Sequence, residues 1–351
     1  MAAAADFSSR LVPDRAGATD LAREHNVVPV RLSVTDDCET PVSALLKLRE
    51  GGPCFLLESA ERGQVGRYSF IGTRPRSVLR WSDGVLREFP GTAMGPGAQV
   101  QEEIDAPDPY RAVADYMDRF DVAEVPGLPP FAGGAVGLFG YDLVRTVEPL
   151  GPPNPDPLGV PDLALMITDV LVIFDHLHNE LTILACAYVG DGGDVDAAYD
   201  DAVEKIGAVR ERLRGPVPDS GETSAVESPQ FESNLTKEEF EAMVARIIEY
   251  IYAGDAFQVV PSQRFTAESR VEPFSIYRGL RAVNPSPYMY FLEFGDFQIA
   301  GASPEPLLKV NGDIVEIRPI AGTSPRGGTE EEDRHLAEQL ISDPKERAEH
   351  V

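Results

Sequence analysis

The sequence predicts an α+β fold in which large antiparallel sheets pack as a sandwich with helices outside. Three observations carry this. Apolar runs of strand length follow one another along the chain, turn dipeptides of the hairpin type separate several of them, and the helical periods stand apart from the strands instead of alternating with them. At 351 residues the chain exceeds the size at which one core stops growing, so two domains or one large layered domain are expected. Its 43% hydrophobic and 25% charged residues are ordinary globular usage, which argues against wholesale disorder.

The elements follow in chain order. Residues 1–20 are Ala-rich but carry Asp6, Arg10, Asp14 and Arg15, so they lack the apolar core of a secretory signal and read as a loose, disordered cytosolic tail. A first domain spans 21–214. Its strand-like runs are 27–34, 54–58, 68–71, 78–81 and 163–174, with hairpin turns at Asp83-Gly84 and at His178-Asn179, the latter leading into 181–189. Helical spacing marks 42–49, 109–120 and 194–213, the last ending in Arg210, Arg212 and Arg214 as a helix C-terminus favours.

The segment 215–233, GPVPDSGETSAVESPQFES, is too poor in apolar residues to anchor a regular element and reads as a linker. A second domain, 234–351, opens with a capping box of Thr236 and Glu239. Phe240, Met243, Val244, Ile247, Ile248 and Ile251 then mark one buried helical face, and Gly254 stops the helix. Strands are predicted at 256–265, 289–294 and 297–301, followed by a hairpin of 307–310 and 314–319 around Asn311-Gly312. No internal repeat is visible.

Several function classes are excluded early. A formal net charge of −27 rules against a nucleic-acid partner, because counterion release needs clustered Lys and Arg. The partner is then a small molecule or a protein, and an anionic ligand would need a local metal ion, helix N-terminus or Arg. The apolar run 163–174 is broken by Thr168 and Asp169, so no membrane span is predicted and a cytoplasmic location is expected. Cys38, Cys54 and Cys186 are odd in number and far apart, which suggests neither a disulfide framework nor a zinc site.

Residues with chemical potential lie in the last third. Asp343-Pro344 reads as an N-cap and first-turn pair, which puts Glu346 and Glu349 three apart on one helical face. Such a pair can share a hard cation such as magnesium, although spacing alone favours a solvated acidic face with Lys345 and Arg347 as partners. RPIAGTSPRGG (318–328) is a Gly-rich turn that leads to Thr329, an N-cap for the acidic run 330–333; its backbone N–H groups could hold a carboxylate, or it is a plain surface loop. Glu305 in the bend 303–305 is either a general acid or an ordinary turn carboxylate. The cluster 288–291 is an aromatic-ligand wall or simply core, and His176 and His178 belong to a hairpin turn with no metal assigned.

In combination these segments resemble a known family. GDAFQVVPSQR (254–264), NPSPYMYFL (284–292), ASPEPLL (302–308), PIAGTSPRG (319–327) and DPKERAEHV (343–351) occur in that order, and FLLESAERGQVGRYSFIG (55–72) and FAGGAVGLFGYDLVR (131–145) agree with them. They resemble the chorismate-utilising enzymes and, within that family, the anthranilate synthase component I group. The likeness runs from about residue 25 onward apart from the linker.

The resemblance implies a lyase that aminates chorismate with ammonia and eliminates pyruvate to give anthranilate, the first step of tryptophan biosynthesis. Glu349, with Glu346 in or near its shell, would hold magnesium against the ring carboxylate. Gly322 and Thr323 would contact the substrate. Glu305 would be the general acid for the departing C4 hydroxyl. Ala321 stands where many aminodeoxychorismate synthases carry a nucleophilic Lys, and Gln258 where the isochorismate and salicylate synthases carry a water-activating Lys; both fit amination by ammonia. Glu58, Ser59, Asn284, Pro285, Pro287, Tyr288 and Met289 match a tryptophan feedback pocket. Ammonia would come from a separate glutamine amidotransferase subunit. The family continues past Glu-His-Val with a catalytic His, a further magnesium carboxylate and more substrate contacts, so the resemblance implies a sandwich incomplete at its C-terminus and a fragment inactive and unstable alone. Two alternatives stay open: aminodeoxychorismate synthase component I, and a non-catalytic tryptophan-binding regulatory module.

Overall fold

The computed structural model describes residues 7–59, 66–92, 98–190, 193–218 and 229–350, without the side chains of Ser8, Glu349 and His350. In chain order the first part contains β1 (Leu11–Val12), α1 (Arg15–Leu21), β2 (Val27–Thr35), α2 (Pro41–Leu48), β3 (Cys54–Glu58), β4 (Tyr68–Thr73), β5 (Ser77–Ser82), β6 (Val85–Pro90) and β7 (Glu102–Asp105). Then come α3 (Pro109–Met117), β8 (Ala135–Phe139), β9 (Leu163–Ile167), β10 (Val170–Asp175), β11 (Glu180–Tyr188) and α4 (Val195–Leu213). The remainder is β12 (Glu232–Ser233), α5 (Lys237–Ala253), β13 (Phe265–Thr266), α6 (Pro273–Val283), β14 (Tyr288–Glu293), β15 (Gln298–Ser303), β16 (Lys309–Asn311), β17 (Ile314–Glu316), α7 (Glu330–Ser342) and α8 (Pro344–His350).

Two compact units result, Met1–Pro218 with Tyr277–Val351, and Asp219–Ile276. In the first, an eight-stranded sheet runs β1-β2-β11-β10-β4-β3-β14-β15 and a five-stranded sheet runs β7-β6-β5-β9-β8. All their ladders are antiparallel. The sheets share a core: Phe55, Leu171, Ile173, Leu184 and Leu292 of the larger meet Val78, Ala164 and Met166 of the smaller. The period of two then sends Leu79, Trp81, Leu163, Leu165 and Ile167 to the other face of the smaller sheet, where Tyr116 of α3 covers them. This is the α+β sandwich with outer helices that the sequence predicts.

The boundary expected between 233 and 234 does not separate the units. β14 joins the larger sheet beside β3, with Met289 opposite Glu58 and Glu293 opposite Cys54, and strand partners so far apart in sequence leave no local sign. The run 163–174 is two strands, not one: the chain turns at Thr168 and Asp169 and crosses from the smaller sheet into the larger. Residues 7–20 are not a loose tail. Phe7 is buried beneath Arg210 of α4, Leu11 pairs with Leu32, and Arg15 bridges Asp196 and Asp200. Isolated hydrophobes without a period gave no warning of this anchoring.

In the second unit the capping box forms, Glu239 N–H donating to Thr236 Oγ1 at 3.2 Å, and Gly254 ends α5 with φ 85°. The face of α5 expected to be buried has no fully buried residue, and Ile248 and Ile251 are exposed. The strand expected at 256–265 reduces to β13, because Pro261 has no N–H for a ladder. Of the expected linker, 219–228 lie outside the described residues, while Glu232–Ser233 pair with Phe265–Thr266. Among the described residues no helix is long and apolar enough to cross a membrane.

Candidate functional site

Three of the candidate segments meet within the first unit. β15 ends in a serine turn, Ser303 Oγ donating to the Glu305 carbonyl at 2.9 Å and accepting from its N–H at 3.4 Å. That turn leaves Glu305 half-buried, and its Oε1 accepts from the Ile320 N–H at 3.1 Å. Glu305 is thereby tied to the Gly-rich turn, next to Ala321, Gly322 and Thr323. Gly322 in turn lies against α8: a Cβ there would collide with the carboxylate of Glu346. General-acid, substrate and metal candidates therefore line one stretch of backbone, 320–323.

α8 is built as its sequence predicts. Asp343 Oδ1 accepts from the N–H groups of Lys345 at 2.8 Å and Glu346 at 3.1 Å, which satisfies orphan donors of the first turn. Glu346 is 24% exposed, with Lys345 Nζ no nearer than 3.7 Å. Its carboxylate is thus available to a hard cation. The backbone of Glu349 lies on the same helix, but its side chain lies outside the described residues. Among the described residues no group of three His, Cys, Asp or Glu stands together as a metal cage.

The other end of the Gly-rich turn is already filled. Gly327 N–H donates to Asp333 Oδ1 at 3.0 Å and Gly328 N–H to Glu332 Oε2 at 2.9 Å. The carboxylates that these amides hold come from the first turn of α7, capped by Thr329. Those two amides are therefore taken by the protein's own carboxylates. Gln258 belongs to the second unit, in irregular backbone.

A second cluster forms where β3 meets β14. Glu58 and Met289 are register partners on one face, with Pro287 and Tyr288 half-buried, Asn284 and Pro285 exposed, and Ser59 following β3 half-buried. Glu58 is almost wholly buried. Its Oε1 accepts from the Tyr277 hydroxyl at 2.6 Å and from Arg281 Nε at 2.9 Å. His176, across β4, shares a 2.8 Å hydrogen bond with Ser69, and burial lowers its pKa against the pull of Glu58. His178 stays in the hairpin turn, its Nδ1 2.9 Å from Asp175. Neither Tyr277 nor Arg281 was singled out from sequence, although their i, i+4 spacing just before the NPSP segment was the available signal.

A family model described as chorismate binding enzyme matches residues 53–351. The chain belongs to the chorismate binding enzyme family. Among its relatives, anthranilate synthase component 1 of Pseudomonas putida is 44% identical over 336 residues, which cover 93% of this chain and 66% of that protein. The protein of the same name from Pseudomonas aeruginosa is 43% identical over 334 residues, with coverages of 93% and 66%. The crystal structure of anthranilate synthase component I from Streptococcus pneumoniae TIGR4 matches with a TM-score of 0.64 and 32% identity, covering 90% of this chain and 65% of that one. The chain thus spans about two-thirds of the length of these relatives. All segments of both clusters fall inside the residues that the family model matches.

Proposed function

We propose that this chorismate binding enzyme is the large component of an anthranilate synthase, converting chorismate and ammonia to anthranilate, pyruvate and water. The observation that carries the reading is the convergence of Glu305, the 320–323 backbone and Glu346, in a chain 44% identical to a protein named for that activity. Ammonia brings its own lone pair, so the site needs an acid for the departing hydroxyl and a grip on the substrate carboxylate more than it needs a base. Glu305 supplies the proton, held in place by the Ile320 N–H. Gly322 and Thr323 contact the ring, and the short Ala321 offers no competing amine. Gln258, neutral, activates no water.

Magnesium fits the residues present. Glu346 offers a hard oxygen ligand whose one ion pair, to the exposed Lys345, is long at 3.7 Å, seated where Gly322 lacks a side chain, and magnesium commonly takes one or two carboxylates and leaves the rest of its shell to water and substrate. Glu346, with Glu349 on the same helix, would hold it, and it would neutralise the ring carboxylate of a dianionic substrate in a protein of net charge −27. Ammonia comes from a glutamine amidotransferase subunit. L-tryptophan inhibits through the cluster of Glu58, Ser59, Asn284, Pro285, Pro287, Tyr288 and Met289, which supports feedback on the first step of tryptophan biosynthesis.

The test is a fluorescence assay for anthranilate in the presence of chorismate, ammonium and magnesium, on the protein that carries this sequence. Glu305→Gln is expected to lower turnover by about 10²–10⁴-fold while leaving chorismate affinity nearly intact. Full turnover by that variant would refute the assignment of the acid, and a para-substituted product would refute anthranilate synthesis.

A further inference from the structure

Glu58 is poorly placed to meet a ligand with its carboxylate. The side chain is only 2% exposed, and both of its recorded bonds go to α6. Tyr277 is completely buried, its ring 5.8 Å from that of Phe291 in β14. Burial, followed by the charge of Glu58, pushes the Tyr277 hydroxyl pKa up, so it remains a donor. Arg281, one turn further on, is 44% exposed and reaches Glu58 through Nε. One carboxylate thus grips a single face of α6 at i and i+4.

What α6 leads into gives this grip its consequence. Its last turn closes with the Asn284 N–H donating to the Leu280 carbonyl at 2.8 Å, and the chain enters the 284–287 turn directly. Met289, just beyond, is bound to Glu58 in the β3–β14 register. The segment 277–289 is therefore fastened to one residue at both ends, by its side chain at Tyr277 and Arg281 and by its backbone at Met289. Between these fastenings the Pro-rich turn has few conformations left.

We propose that Tyr277 and Arg281 are positioning residues for the effector site, and that Glu58 acts through them, fixing the 284–287 turn as the wall against which an aromatic amino acid packs. This rests on the tryptophan reading above and replaces a direct contact between the Glu58 carboxylate and the ligand by an indirect one. An ion pair that only positions can be exchanged for a neutral hydrogen-bonded pair. A carboxylate that neutralises a ligand ammonium cannot.

Calorimetric titration of L-tryptophan into the full 351-residue chain separates the two. Glu58→Gln and Arg281→Gln, made singly, are each expected to weaken binding by about tenfold or more, the second by more because it strands a buried charge. Tyr277→Phe weakens it by less. The double variant Glu58→Gln with Arg281→Gln is expected to return to within about threefold of the parent, the non-additivity of a coupled pair. A double variant as weak as Glu58→Gln alone overturns the proposal. If the parent does not bind tryptophan, the effector reading fails by itself, and the clamp is then judged by hydrogen exchange at the amides of Asn284, Ser286 and Tyr288. Each single variant should speed exchange there and the double should restore it; unchanged exchange in the single variants overturns the clamp.

Discussion

Replacing Arg49 by Ala leaves a buried carboxylate without its guanidinium. Arg49 Nε donates to Glu293 Oε2 at 2.6 Å and Nη2 to Oε1 at 2.9 Å, with side chains 18% and 6% exposed. Burial alone would raise the Glu293 pKa, but the hydrogen bonds and charge of Arg49, helped by Cys54 and Gln298, hold it below the ordinary 4.5. Removing one partner of a buried pair costs about 3–5 kcal/mol. Here Cys54 Sγ at 3.2 Å and Gln298 Nε2 at 3.4 Å still face the carboxylate, so about 2–4 kcal/mol is expected. Urea unfolding followed by the single tryptophan, Trp81, measures it.

The pH dependence gives that experiment a second arm. A depressed folded-state pKa contributes stability that is fully present above the unfolded value and is lost as pH falls through the folded one. In Arg49→Ala the charged form is penalised instead, so the gap between parent and variant is widest above about pH 5 and narrows below it. A gap under about 1 kcal/mol at pH 7, or one that widens on acidification, would refute the reasoning.

The remaining predictions are brief. Trp81→Phe removes the indole N–H that donates to the Ala106 carbonyl at 2.7 Å, inside the core between the smaller sheet and α3, and should cost about 1–3 kcal/mol in thermal unfolding followed by circular dichroism. Gly322→Ala drives a methyl group into the Glu346 carboxylate, so magnesium-dependent chorismate binding by calorimetry should fall by about tenfold or more while tryptophan binding is unchanged. Equal loss of both would mean that the substitution unfolds the region instead of displacing one ligand.

Much of the fold was legible because its signals are local. Asp83 and Gly84 both adopt positive φ, 53° and 80°, as the two-residue hairpin turn needs. Asn179 and Gly312 likewise take positive φ in the other two hairpins. What failed depended on distant partners. Nothing near Tyr288 says that its strand lies beside β3, and nothing near Phe7 says that it sits under Arg210 of α4. Thr168 and Asp169 were visible as a polar interruption, yet only the structure shows their use, a crossing between sheets at which Asp169 bridges Lys205 of α4 at 2.7 Å. In the candidate site, Glu305, Gly322 and Glu346 were legible through ordered motifs, whereas Tyr277 and Arg281 look like any other amphipathic helix residues until Glu58 is placed beside them.

The register of β14 adds a constraint that neither cluster reveals alone. Its two ends pair with β3 by backbone beside buried carboxylates, Met289 opposite Glu58 and Glu293 opposite Cys54. Its other edge pairs with β15, where Tyr288 faces Ser303, and the Ser303 turn sets the direction of Glu305. The proposed effector wall and the proposed acid therefore stand at the same end of one hairpin, the turn 284–287 running into Tyr288 and Glu305 lying two residues past its partner Ser303. Coupling between two sites needs an element whose arrangement both can bias, and a chain of packed residues through the core is not required when the element is shared. A ligand that shifted Pro287 and Tyr288 would act on the strand pair from which Glu305 emerges, β14 and β15.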